Sequence, residues 1–338
     1  MNPSPLVSII IDNYNYGRYV GEATRSALCQ TYTPVEVIVV DDGSNDDSRA
    51  VIAAFGDQVT PVFKANGGQA SAFNAGFAAC HGEIVFFLDA DDRLEPQIVG
   101  RVVAEFVALP TLSKVQFRLA MTDAAGYLTG QVQPPWHKPM PNGDVLPALR
   151  RFPDDICWQP TSGNAFAARV LRQILPMPEA SFRLCADYYL ANLPPLFGPV
   201  ASLEAVGGHY RLHGANRHYT AQLNLAQTRR IIQQTCALHH CLKDTADRLG
   251  LAGFPAETTA TLAVTFLAHR LISQRLDPAQ HPIPGDNALL LGWRGIRAAL
   301  GRFDLAWPAR GARVAWFAVT ALAPRRLVGW LAQRFAGA

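Results

Sequence analysis

The chain has 338 residues, 49% of them hydrophobic, and its 30 basic and 27 acidic side chains give a net charge of +3. That length holds a catalytic domain plus an appendage, and the near balance of charge excludes the strongly basic or acidic surface that a nucleic-acid or acidic partner needs. Six cysteines, at 29, 80, 157, 185, 236 and 241, are scattered without a C-x-x-C pair, so free thiols in a reducing compartment are expected.

Leu6 to Ile11 is an apolar run followed by Asp12-Asn13-Tyr14-Asn15-Tyr16-Gly17. Tyr19 to Gln30 reads as a helix. Val35 to Val40 is a second, β-branched strand that ends in Asp41-Asp42-Gly43-Ser44. Ser48 to Phe55 is helical, Val59 to Phe63 is a weaker third strand, and Ala70 to Cys80 is a third helix. Ile84 to Leu88 is the fourth strand, and it runs into Asp89-Ala90-Asp91-Asp92. Strands that are apolar without alternation, separated by helices, describe a parallel sheet covered on both faces. In such sheets ligands bind beyond the carboxyl ends of the strands, which is where these acids collect. Asp89 and Asp91 point to the same side of an extended chain, so both reach one ion. A hard divalent cation, Mg²⁺ or Mn²⁺, supplies the counter-charge such a cluster needs and keeps positions open for substrate phosphates. The plainer reading of the acids alone is a solvated strand end. The dinucleotide-binding alternative requires G-x-G-x-x-G after the first strand, and residues 12–17 do not supply it.

Three stretches carry a resemblance: VSIIIDNYNYGRYVGEATRSALCQTY, VEVIVVDDGSNDDS and NGGQASAFNAGFAACHGEIVFFLDADDRLEP. Together, from about Leu6 to Pro96, they resemble the family 2 glycosyltransferases. The resemblance implies a GT-A fold, which is Rossmann-like, with a mixed, mainly parallel sheet and helices on both faces. It implies an inverting, metal-dependent transfer of sugar from a nucleotide-diphosphate donor, with UDP-sugar favoured, to a hydroxyl of a glycan, lipid-linked or other acceptor. It places Tyr14 on the nucleotide base and Asp42 in hydrogen bonds to it. Asp89 falls on ribose or metal and Asp91 on the metal, with Asp92 as a supporting acid. Asp12 stands where proline or threonine is common. It is read as a base or ribose contact or, preferentially, as a turn residue.

Inverting chemistry also needs a carboxylate base beside the acceptor. The family keeps it in an E-D motif roughly ninety to a hundred residues past the metal acids. Asp187 fits, 96 residues after Asp91, with Ala186 in place of the usual glutamate. An ordinary first-turn helix acid is the competing reading of Asp187. Between metal and base, Gln159 to Phe166 matches a loop that lies against the donor sugar or acceptor, where Gly163 allows close approach. Gly207 to Asn216 resembles the Y-R-x-H-x-x-N segment, which makes His213 a metal or diphosphate ligand. Arg211 and Arg217 are phosphate candidates by charge. Two further readings belong to other classes. Ala186 favours a catalytically inactive nucleotide-sugar-binding or scaffold protein. A nucleotidyltransferase would need a basic Gly-rich loop after the first strand, and Asn13 to Gly17 is not one.

The catalytic domain is expected to span residues 1–220, with the nucleotide-sugar half to about 100 and the acceptor half beyond. A helical appendage follows over 221–277, built on a helix or pair from Leu223 to Leu249 and another from Thr259 to Leu276. The proline-rich PAQHPIP (278–284) reads as a linker. From Gly301 onward there are six arginines against one acid, Asp304, with Trp307, Trp316, Phe317, Trp330 and Phe335 interleaved. Two readings stand side by side: basic amphipathic helices lying on an anionic membrane surface, or a helical pair packed on the core. Residues 1–5 carry no basic stretch and Leu6 to Ile11 is too short for a signal peptide. The expected location is therefore cytoplasmic, with peripheral contact at the inner membrane face under the first reading.

Overall fold

The computed structural model describes residues 4–214, 224–254, 263–302 and 306–336; Asn216, Arg217, His218, the expected helix start at Thr259, and Asp304 lie outside the described residues. In chain order the elements are β1 (Val7–Asn13), α1 (Gly17–Leu28), β2 (Val35–Asp41), α2 (Ser48–Ala53), β3 (Thr60–Phe63), α3 (Gln69–Ala79), β4 (Ile84–Asp89) and β5 (Arg93–Leu94). There follow α4 (Ile98–Ala108), β6 (Lys114–Thr122), β7 (Leu128–Gln133), α5 (Leu146–Arg151), β8 (Asn164–Ala167), α6 (Ala168–Ile174), α7 (Glu179–Phe182), α8 (Ala186–Asn192) and β9 (Val200–Arg211). The last five are helices: α9 (Leu225–Arg248), α10 (Val264–Leu276), α11 (Ala288–Leu300), α12 (Trp307–Leu322) and α13 (Arg325–Ala336).

The chain divides into two compact units, Met1–Leu146 with Cys157–Ala215, and Pro147–Ile156 with Asn216–Ala338. The first holds a nine-stranded mixed sheet in the order β3-β2-β1-β4-β8-β6-β9-β5, with β7 paired to β6. Its first half, β3 to β4, is wholly parallel. β8 then runs antiparallel between β4 and β6, and β9 returns parallel to β6. The parallel half follows from the sequence: Ile9 to Ile11, Val37 to Val40 and Ile84 to Leu88 are buried residue by residue, which only a sheet covered on both faces allows.

The two faces are covered differently. Ile9, Ile11, Phe86 and Leu88 pack with Val20 and Ala23 of α1 and with Val99, Val102 and Phe106 of α4. On the other face Phe87 meets Phe73 of α3, their rings 4.5 Å apart, and Phe166 of β8 at 6.0 Å. Gly76 lets α3 lie flat there, since a Cβ at that position would collide with Ile10 Cγ2. β6 is buried along all nine residues although it carries Lys114, Gln116 and Arg118 at alternate positions. Arg118 is satisfied by Glu204 and by the carbonyls of Pro134, Pro135 and Lys138. Lys114 instead lies over the Trp158 ring at 4.4 Å, and burial lowers its pKa to about 7.

In the second unit Asp155 secures the start of α10: it accepts from the Val264 and Thr265 amides at 2.8 and 3.1 Å and pairs with Arg302 at 2.8 Å. Helix α11 crosses α12 where Gly292 and Gly295 face Ala321 and Phe317. Phe317 and Ala321 share a core with Leu267 and Leu271 of α10, so the C-terminal helices do pack inward on one side. Among the described residues no helix is long and apolar enough to cross a membrane.

The Gly76 contact gives a direct test of the α3 seat. Gly76→Val should destabilise the protein by about 1–3 kcal/mol through overpacking, read as a lower urea midpoint with an unchanged slope. A midpoint equal to wild type would mean that α3 does not press on Ile10.

Candidate active site

Because β1, β2 and β4 are parallel, their carboxyl ends lie along one edge. Register sets Asp12 of β1 beside Asp89 of β4, and Asn13 beside Asp41 of β2. After β4 the chain turns at once: the Asp92 amide donates to the Asp89 carbonyl at 3.0 Å. The carboxylate oxygens of Asp89, Asp91 and Asp92 thereby come within 4.8 Å of one another. Burial, and then the neighbouring acids, push the Asp89 and Asp92 carboxyls well above the ordinary range. Asp12 rises to about 7, first through burial and also through the charge on Asp91, while a hydrogen bond with Asp89 offsets part of the rise. The turn role expected for Asp12 is not what the structure shows. Asp12 is a strand residue facing the acids, and its Oδ1 is buried without a hydrogen-bond partner.

The acids differ in how they are engaged. Asp92 accepts from Ser162 Oγ at 2.6 Å with one oxygen and from the Arg211 amide at 3.0 Å with the other. Ser162 Oγ also accepts from the Asp89 amide at 3.1 Å, so this one hydroxyl ties both ends of the turn to the loop before β8. Asp91 Oδ2 lies 2.8 Å from His213 Nε2. The His213 ring stacks on Tyr19 at 5.2 Å and meets Tyr16 edge-on at 5.3 Å, which fixes its plane. Asp89 accepts from Gln69 Nε2 at 3.1 Å. Arg211 is buried and its guanidinium reaches the Asp91 carbonyl at 2.9 Å, the Ala124 carbonyl at 3.2 Å and Glu22 at 2.5 Å. Arg211 therefore braces the acidic turn from behind.

This donor set fits a hard divalent cation. It consists of the carboxylate oxygens of Asp89, Asp91 and Asp92, held in place by their own hydrogen bonds, with the orphaned Asp12 Oδ1 on the strand paired beside Asp89. Asp41 shows what the alternative looks like. Burial would raise it too, but Ser44, Arg49 and Asn13 donate to it and hold its pKa below the usual value.

The remaining expected residues surround the cluster. Tyr14 follows β1 and is 37% exposed. Asn15, at φ +58°, turns the chain beyond it, its amide bonded to Ser44 Oγ at 2.8 Å. Asp42 is 3% exposed and takes three donors, Lys64 Nζ at 2.6 Å and the Gly67 and Gly68 amides at 2.9 and 2.6 Å. Its carboxylate thus shapes the loop that leads into α3. Gly163 is buried beneath β6, where a Cβ would lie 3.0 Å from the Phe117 carbonyl. Asp187 stands in the first turn of α8, and its charge contributes to the upward shifts of Asp89 and of the Tyr210 phenol.

Gln69 and Ser162 were not singled out from the sequence, although both lie in stretches that were. Gln69 Oε1 accepts from the Ala186 amide at 3.1 Å while its Nε2 holds Asp89, so one side chain spans from the acid cluster to the helix of Asp187. Arg183 adds a second tie, donating to the Gly67 carbonyl and to Asn66 Oδ1 at 2.9 and 2.6 Å. Gly68, at φ +88°, starts α3 directly under the Arg183 backbone, where any side chain would collide. The paired glycines before Gln69 were the available signal.

The raised carboxyls fix the sign of the pH response. A carboxyl whose folded pKa lies above its unfolded value favours the folded state most at acid pH, and that contribution is lost as pH rises through the folded pKa. With Asp12 at about 7 and Asp89 and Asp92 also raised, metal-free protein should lose stability between about pH 4 and above pH 7. Chemical denaturation in chelator at pH 5 and pH 8 measures this, and Asp12→Asn should flatten the trend. A metal-free protein that gains stability over that interval would contradict the assignment.

The model of the family described as glycosyl transferase family 2 matches residues 8–147. An uncharacterized glycosyltransferase of Nostoc sp. is 37% identical over 219 residues, covering 64% of this chain and 67% of that one. Hyaluronan synthase of Pasteurella multocida is 41% identical over 118 residues, which is 34% of this chain and 12% of the synthase. Among solved structures, S. aureus TarS 1–349 superposes with a TM-score of 0.56 at 14% identity, over 98% of this chain and 89% of that one. Its complex with UDP-GlcNAc gives the same TM-score at 15% identity. At those identities TarS speaks to the fold, a GT-A-like sheet with a helical region beyond it. The Nostoc relative and the family model decide the rest: this chain belongs to glycosyl transferase family 2 and is a glycosyltransferase.

Proposed function

We propose that the protein moves a sugar, with inversion, from a UDP-sugar to a hydroxyl of a glycan or lipid-linked acceptor, using Mn²⁺ or Mg²⁺. The observation that carries this reading is the link through Gln69, which joins the acid cluster to the first turn of α8 where Asp187 stands. A donor diphosphate at the cluster and an acceptor hydroxyl at Asp187 would then be held by one rigid frame. TarS, crystallised with UDP-GlcNAc, supports the choice of nucleotide.

In this reading Asp89 and Asp91, with His213, would hold the cation. A bound divalent cation acts as a Lewis acid that offsets charge on the departing diphosphate. Asp92, Ser162 and Arg211 hold the turn that presents those acids. Asp12 adds a carboxyl at the strand edge beside Asp89, where it would contact ribose or the cation. Tyr14 offers an exposed ring for the base, and Asp42 shapes the loop that borders it. Gly163 keeps the loop carrying Ser162 close to the sheet. Asp187 takes the proton of the acceptor hydroxyl as that oxygen attacks the anomeric carbon.

The inactive reading rested on Ala186. Ala186 is fully buried and its amide donates to Gln69, so the position packs and ties α8 to the acid cluster through that side chain. Asp187→Asn should lower turnover by about 10²-fold or more, the scale of a lost general base. UDP affinity with Mn²⁺, measured by calorimetry, should stay near wild type. The rate is measured as release of UDP from UDP-sugars with Mn²⁺, first as slow hydrolysis without acceptor. A mutant with near-normal turnover would move the base elsewhere. Wild-type protein that binds UDP-sugars without releasing UDP, with or without glycan acceptors, would restore the inactive reading.

A further inference from the structure

The C-terminal helices expose large apolar side chains. Helix α11 exposes Leu289, Trp293 and Leu300, spaced so that they form one stripe. Helix α12 exposes Trp307 and Leu322, at 74% and 73%, one near each end of its solvent face. Every fully exposed residue of α12 is uncharged, while its Arg310 is buried and its Arg313 half-buried. Helix α13 adds Trp330. A surface helix normally turns its polar residues to water, and α12 does the reverse. Exposed large apolar side chains concentrated on neighbouring helices in this way mark interaction sites.

Charge decides the partner. Residues 288–302 and 306–336 contain no aspartate or glutamate, and Arg297, Arg325 and Arg326 are exposed among them. The Arg297 guanidinium lies over the Trp293 ring at 4.7 Å, so a cation rides beside an exposed aromatic. A second copy of the chain would bring like-charged faces together, which is repulsive. Lipid with anionic headgroups matches both features, since its headgroups take arginines and its interface takes tryptophan and leucine.

We propose that α11, α12 and α13 form a peripheral docking face that lies in the plane of an anionic membrane, with these apolar side chains seated at the acyl boundary. This goes beyond the transfer reading and does not rest on it.

The test is co-sedimentation of the full chain with vesicles of phosphatidylcholine plus phosphatidylglycerol, and with phosphatidylcholine alone. Wild type should pellet with the anionic vesicles. The triple variant Trp293→Glu, Trp307→Glu, Leu322→Glu should bind them at least about tenfold more weakly. Those side chains are exposed, and a melting curve confirms folding. Independently, Arg297→Gln with Arg326→Gln should weaken anionic binding about tenfold and leave the small affinity for neutral vesicles unchanged. Wild-type protein that stays in the supernatant with anionic vesicles overturns the proposal. So does a folded triple variant that binds as wild type. A wild-type dimer that the triple variant dissociates, with no vesicle binding by either, would assign the face to a second copy instead.

Discussion

The structure turns on a set of clustered, half-buried to buried carboxyls whose mutual repulsion calls for protons or a counter-ion. Parallel pairing of β1 with β4 forces Asp12 against Asp89, and the tight turn after β4 adds Asp91 and Asp92. Such acids in a low-dielectric setting either take up protons or take up a cation. Asp41, on the next strand, shows a third outcome, because three donors from the protein neutralise its burial. The contrast separates an acid that the protein's own donors satisfy from acids whose clustering a cation would suit.

Much of the surrounding structure holds that arrangement still. Ser162 bonds both ends of the acidic turn, and Arg211 spends its donors on the turn and on Glu22. Tyr16 and Tyr19 clasp His213 against Asp91. Gln69 and Arg183 extend the frame to α8, so Asp187 is fixed relative to the acids through short polar contacts. These supports are side chains with ordinary chemistry whose roles come from where the backbone puts them.

That difference explains what could be read from the chain. The strands β1, β2 and β4 were legible because uninterrupted apolar β-branched runs announce a covered parallel sheet. The acids at their ends were legible because charge at a strand terminus has few structural reasons to exist. The strand β6 was not legible. Lys114, Gln116 and Arg118 alternate along it and break the apolar run that marks a buried strand, yet all three are buried, and Arg118 is paired with Glu204 from a strand 86 residues away. Asp12 was misread as a turn residue because local propensity favours that role, whereas sheet register decided its place. Ser162 carries no compositional mark, and Gln69 only the pair of glycines before it. In the tail, the arginines and tryptophans were visible, but whether α12 turned its charges inward or outward required the packing of Phe317 and Ala321.

The central claim is that Asp89 and Asp91 form a divalent-cation site beside which a nucleotide diphosphate binds. Crystals of the protein grown with Mn²⁺ and UDP, measured at the manganese absorption edge, test it most directly. The account predicts one anomalous peak in contact with the Asp91 and Asp89 carboxylates and with diphosphate oxygens, with the uracil ring against Tyr14. Bound UDP with no anomalous peak at these acids, or a manganese peak elsewhere on the chain, would contradict it.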